Sequence, residues 1–192
     1  MVMPLNIPSI GKFSDEELIS LCLANPDLNI ERDEKGQILI NMSPTYALTS
    51  SFNSLILIEL GLWNRKKKTG TIFESNSAFF LPDSSMKGPD VAWISKGRWQ
   101  NLSLKEKKSI PKLVPDFIIE LQSETDNQAE LKQKMEKWME NGVKLAWLVS
   151  PQSQETMVYF ENTIESVPFK NKLDGKNVLV DLEIIMSEIL EE

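Results

Sequence analysis

Residues 115–151, PDFIIELQSETDNQAELKQKMEKWMENGVKLAWLVSP, constrain the fold more than any other stretch. DFIIELQ is a short apolar run rich in β-branched residues, as a buried strand would be. From Asp126 to Asn141 the residues Leu131, Met135, Trp138 and Met139 recur at helical spacing, and Asn141-Gly142 is a stop signal. VKLAWLVS is a second apolar strand. Strand, helix and strand over Asp116–Ser150 predict a right-handed crossover joining two parallel strands of one sheet.

The first of these strands contains an acid. Side chains alternate faces along a strand, so Phe117, Ile119 and Leu121 share one face and Ile118, Glu120 and Gln122 the other. In a sheet covered on both sides Glu120 is desolvated, and a lone buried carboxylate must take up a proton or find a cation. A second acid, Asp90, opens the apolar run PDVAWIS at Pro89–Ser95. If these two runs are neighbouring strands, Asp90 and Glu120 converge near strand ends. Two close carboxylates repel, and a shared proton or a divalent cation resolves the repulsion. Each residue also has a plain structural reading. Asp90 could cap a turn or strand, Glu120 could form a buried ion pair, and Trp93, Trp138 and Trp147 are expected in the core.

Elsewhere Ser14-Asp15-Glu16-Glu17 is a capping box, opening a short helix that stops near Asn25-Pro26. Asn29–Met42 reads as a hairpin about the turn Asp33–Gly36. A largely buried helix is expected from about Thr45 to Lys68, with Gly70 as its stop. GTIFE and SAFFL read as strands, Pro82-Asp83 as a turn, and KGRWQNLSLKEKKSIPK as a helix-containing connector. ETMVYF pairs with VKLAWLVS across Pro151–Ser153. KNVLV is expected as a strand, followed by a helix over Asp181–Leu190 with Asp181 as its N-cap. The pattern is α/β: a mixed central sheet flanked by helices, with an N-terminal helix and β-hairpin, in one domain spanning residues 1–192.

Composition excludes several chemistries. The chain has no histidine and one cysteine, Cys22. Ser-His-Asp and Cys-His triads, zinc-protease helices and ordinary structural zinc sites therefore cannot be built. Any metal must be a hard cation held by oxygen, such as magnesium, manganese or calcium. No apolar run reaches bilayer length, and the first residues, MVMPLNIPSIGKFSDEE, lack the pattern of a secretory signal, so the expected location is cytoplasmic with no membrane partner. The net charge of −7 argues against a broad nucleic-acid-binding surface. The basic clusters Arg65–Lys68 and Lys105, Lys107, Lys108 and Lys112 read as solvated ends.

Three segments carry a family resemblance: GQILINMSPT, FFLPDSSMKGPDVAWISKGRW and the 115–151 stretch, in register from about Gly36 to Pro151. Together they resemble the Uma family of putative restriction endonucleases, within the PD-(D/E)XK nuclease superfamily. The resemblance implies a restriction endonuclease-like core and a magnesium- or manganese-dependent endonuclease hydrolysing DNA phosphodiester bonds, with DNA as partner and a possible homodimer. It implies Asp90 and Glu120 as metal-binding acids with the Leu121 carbonyl, Lys134 as the catalytic lysine and Gln122 as an assisting group. The superfamily lysine is displaced here, since Glu120-Leu121-Gln122 stands where Glu-x-Lys is usual. Helical periodicity alone leaves Lys132 and Lys134 equivalent, flanking the apolar stripe on opposite sides. A further acid is implied in the hairpin or first long helix, yet Asn41 and Ser51 occupy the stretches where one would be sought. The alternative is a catalytically weak or inactive nucleic-acid-binding or interaction module on the same fold.

Overall fold

A computed structural model describes residues 2–4, 13–41 and 46–190 of the 192-residue chain. Most of the N-terminal stretch, Met42 and Thr45 lie outside the described residues. The elements run β1 (Val2–Pro4), α1 (Asp15–Ala24), β2 (Asn29–Arg32), β3 (Ile38–Asn41), α2 (Ala47–Lys67), β4 (Gly70–Phe73), β5 (Phe79–Phe80), β6 (Met86–Lys87) and β7 (Val91–Ser95). Next come α3 (Lys96–Gln100), α4 (Leu104–Lys107), β8 (Phe117–Leu121), α5 (Gln128–Glu140), β9 (Leu145–Ser150), β10 (Glu155–Phe160) and β11 (Thr163–Pro168). β12 (Lys172–Asp174), β13 (Glu183–Ile185) and α6 (Met186–Ile189) complete the chain.

A six-stranded sheet, ordered β11-β10-β9-β8-β7-β4, forms the centre. β8 and β9 are parallel, joined through α5. β7 runs antiparallel to β8, with Val91 opposite Ile119 and Trp93 opposite Phe117, so the two acid-bearing runs are neighbours. Alternation holds along β8. Phe117, Ile119 and Leu121 pack with Phe52, Ile56, Leu60 and Trp63 of α2, whereas Ile118 packs with Met135 and Trp138 of α5. A second sheet, ordered β1-β3-β2-β6-β5, carries the hairpin and buries Ile30, Ile38, Phe80 and Met86 against Leu18 of α1.

Local signals explain much of this. Ser14 Oγ accepts from the Glu17 amide while Glu17 accepts from the Ser14 amide, completing the capping box of α1. The hairpin turns at Asp33, whose carboxylate accepts from the Lys35 and Gln37 amides, with Gly36 at φ 87°.

Other expectations are corrected. α2 ends at Lys68, in the left-handed conformation with its amide on the Asn64 carbonyl, so Gly70 is not its stop. Gly70 instead opens β4 beneath Trp93, where a Cβ would overlap the Trp93 indole and the Ile94 carbonyl. α2 buries one stripe only, leaving Ile58 and Leu62 exposed. KNVLV is a turn rather than a strand: the Val178 and Leu179 amides both donate to the Gly175 carbonyl, driving Leu179 into the core. Asp181 does not cap a helix. Its φ is 60°, its carboxylate pairs with Lys67 at 2.6 Å, and a strand intervenes before the short α6. β11 and the two-residue β6 carry no clear alternating apolar pattern.

At the end of the central sheet remote from Asp90, Asp116 is buried among Lys144 (2.8 Å), Arg98 (2.9 Å) and the Ser95 amide (2.9 Å). Burial alone would raise its pKa. The Lys144 hydrogen bond, the Ser95 amide and the charge of Arg98 outweigh burial and hold it below the ordinary value. A depressed folded pKa means this stabilisation is complete above the unfolded Asp value and lost as pH falls through the folded one. Asp116→Asn is expected to cost about 1–3 kcal/mol at neutral pH in urea unfolding, and to flatten the loss of stability below about pH 4. Gly70→Ala is expected to cost about 1–3 kcal/mol through overpacking against Trp93, read in the same assay.

Candidate functional site

β7 begins at Val91, and one step before it the antiparallel register sets Asp90 opposite Glu120. Main-chain pairing stops there, and the Asp90 side chain continues it: Oδ2 accepts the Leu121 amide at 2.7 Å. Asp90 thus does cap the strand end. Its other oxygen, Oδ1, accepts no hydrogen bond among the described residues and is not sealed from solvent.

Glu120, 4% exposed, projects from β8 toward α5. Trp138 and Lys134 lie one helical turn apart on α5, so both reach one point on the sheet. The Trp138 indole N–H donates to Glu120 Oε1 at 3.0 Å. The Lys134 ammonium lies 2.9 Å from Oε1 and donates to Oε2 at 3.1 Å. It also donates to the Gly88 carbonyl at 3.0 Å and lies 3.5 Å from Glu31 Oε1. Lys132 has no ion pair among the described residues. The structure therefore separates two lysines that periodicity left equivalent, because Lys134 alone stands one turn before Trp138.

Glu31 was not singled out by sequence reasoning. It comes from β2 and accepts the Gly88 amide at 3.0 Å. Two of the three charges of the hairpin run NIERD are buried, Glu31 toward α5 and Arg32 toward Asp15 at 2.6 Å. That pair of adjacent charges was the available signal, but one face of a hairpin strand is commonly solvated and charged. The stretches around Asn41 and Ser51 are not the source of the acid. Ser51 is exposed on α2, and the Asn41 side chain lies outside the described residues. Trp138 was expected in the core and is there, with its polar edge on Glu120. Gln122 is buried at the end of β8, its amide on the Val149 carbonyl.

Electrostatics follow from three carboxylates facing one ammonium. Glu120 is raised to about 7: burial pushes it up most, Lys134 pulls it down, and the charges of Asp90 and Glu31 add to the rise. Burial likewise raises Asp90, tempered by the Leu121 amide and by Lys134. Burial would lower Lys134, but Glu120, Glu31 and Asp90 together hold it above the ordinary lysine value. Three carboxylates thus share one ammonium, and the side-chain atoms with lone pairs to offer a cation are carboxylate oxygens. Oxygen ligands of this kind suit a hard divalent cation. Among the described residues no group of three or more acid, histidine or cysteine side chains is spaced to hold a metal ion.

A family model described as "Uma2: Putative restriction endonuclease" matches residues 15–187. Among solved structures, the chain is similar to a crystal structure described as a putative nuclease belonging to DUF820 from Anabaena variabilis ATCC 29413. The identity is 16% and the TM-score 0.70, covering 84% of this chain and 89% of that one. The mixed sheet flanked by helices is thus the restriction endonuclease-like fold. No curated protein matches. Among the described residues no helix is long and apolar enough to cross a membrane.

The Trp138 contact is testable alone. Trp138→Phe keeps an aromatic ring but deletes the indole N–H and part of the buried volume, leaving Glu120 one donor short. A cost of about 1.5–3 kcal/mol in urea unfolding is expected, larger than for an apolar edge change at a core aromatic.

Proposed function

The chain belongs to the Uma2 family of putative restriction endonucleases, and from that premise we propose that it is a metal-dependent endonuclease hydrolysing DNA phosphodiester bonds. The observation that carries the reading is the group of three carboxylates around Lys134, with an Asp90 oxygen that accepts no hydrogen bond among the described residues. Asp90, Glu120 and the Leu121 carbonyl would hold magnesium or manganese. Bound there, the ion would lower the pKa of a water and offset charge on the phosphate.

The remaining work falls to this chain's side chains. Trp138 and Lys134 fix the orientation of Glu120: Oε1 meets both of them and Oε2 accepts from Lys134. Lys134 keeps its proton and is placed to orient a water or to stabilise charge that develops on the phosphate. Gln122, two residues beyond Glu120 on the same strand face, assists by hydrogen bonding. Cutting both strands of a duplex would call for two copies of this single site.

The second reading, a binding module without catalysis, draws on Gln122 standing where the superfamily pattern has lysine. It is distinguished by DNA affinity that survives magnesium removal with no cleavage at high protein concentration. Calorimetric titration with manganese is expected to show binding to the wild type and a loss of at least about 100-fold in Glu120→Gln and Asp90→Asn. Cleavage of supercoiled and single-stranded DNA should fall in parallel. Manganese affinity unchanged in both variants would falsify the assignment of these acids.

A further inference from the structure

Lys87 is 7% exposed, and its ammonium has no hydrogen bond or ion pair within 4.0 Å among the described residues. The other buried charged residues, Glu31, Arg32, Asp116 and Glu120, all have such partners. An ammonium with a buried stem and no anion within ion-pair distance is costly, and it can take a further ligand of opposite charge. The Lys87 nitrogen is not among the sealed, unsatisfied atoms, so it keeps access to solvent.

The strand register shows where this cation sits. Lys87 pairs with Phe79 and Met86 with Phe80. Phe80 and Met86 enter the core beneath α1, while Phe79 enters the core that contains Met135 and Trp138 of α5. Lys87 therefore faces the α5 side. One step beyond the Arg32–Met86 pair, the same antiparallel register sets Glu31 opposite Lys87. The next residue, Gly88, has its amide on Glu31 and its carbonyl on Lys134. Lys87 thus borders the acid cluster, and its charge helps to hold Asp83 below the ordinary Asp value. Asp83 is itself bound by Asn141 Nδ2 at 2.8 Å and the Ser85 amide at 2.9 Å.

We propose that Lys87 is a contact for a backbone phosphate of bound nucleic acid, beside the acid cluster. This rests on the nuclease reading. A site built from Asp90, Glu120 and Glu31 repels a phosphodiester, and Lys134 is engaged by Glu120, Glu31 and the Gly88 carbonyl. Lys87 is the neighbouring positive charge with no such commitment. Its stem is already ordered, so little rotamer freedom remains to be lost on binding.

The test is the salt dependence of binding to a labelled DNA duplex, in calcium buffer, for the full-length wild type, Lys87→Met and Lys87→Arg. One lost phosphate contact lowers the magnitude of the slope of log affinity against log salt by about 0.9. Lys87→Met is expected to show that reduction, with roughly tenfold weaker binding at low salt and unchanged manganese affinity. Lys87→Arg is expected to keep the wild-type slope. Lys87→Gln serves in place of Lys87→Met if the latter does not fold. Equal slopes for the wild type and the neutral variant would overturn the Lys87 contact while leaving the nuclease reading standing. A wild type without duplex affinity at any salt would remove both.

Discussion

The union of Glu120 with Lys134 and Trp138 sets the terms for the rest of the molecule. A carboxylate inside an apolar strand is tolerated only where the element packed over it supplies donors. α5 supplies two, one turn apart, and buries the apolar part of Trp138 in the same step. The crossover helix thus closes one face of the sheet and solvates its acid. A polar link of this kind fixes the rotation of α5 on β8 more tightly than apolar contact alone, because only one helical phase brings both donors to Glu120.

The second sheet is tied to this union through Glu31, 3.5 Å from Lys134, and through Gly88. Gly88 gives its amide to Glu31 of the hairpin and its carbonyl to Lys134 of α5. A Cβ at Gly88 would stand 2.8 Å from the Ser77 carbonyl oxygen, so the loop runs hard against its neighbour. Pro89 and Asp90 follow directly. The placement of Asp90 therefore depends on the hairpin sheet as well as on the strand that it opens.

Much of this was legible in the chain. The 115–151 stretch announces its crossover because helix and strand periods switch cleanly and Asn141-Gly142 marks the boundary. Glu120 stood out because a charge within an apolar run has few physical excuses. Asp90 was visible only jointly with it, since Asp after Pro is common in turns. Glu31 was hidden because its strand reads as a half-exposed hairpin, and its burial arises from α5, more than ninety residues away. Lys134 could not be told from Lys132 until the helix had a rotational phase, which Trp138 fixes. The C-terminal errors share one cause. KNVLV has the composition of a strand, but two left-handed residues, Lys176 and Asp181, bend the segment into a turn that sinks Leu179.

The contacts of the cluster span long stretches of chain: 57 residues from Glu31 to Gly88, 46 from Gly88 to Lys134 and 31 from Asp90 to Leu121. Such closures are made late, because loop entropy must be overcome before they are rewarded. In the unfolded chain the three acids are far apart and hydrated, and their mutual repulsion is screened. The repulsion therefore enters near the native end of folding, after the hydrophobic layers have formed. It acts there as a deferred cost, raising the unfolding rate of the finished protein more than it slows the collapse that precedes it.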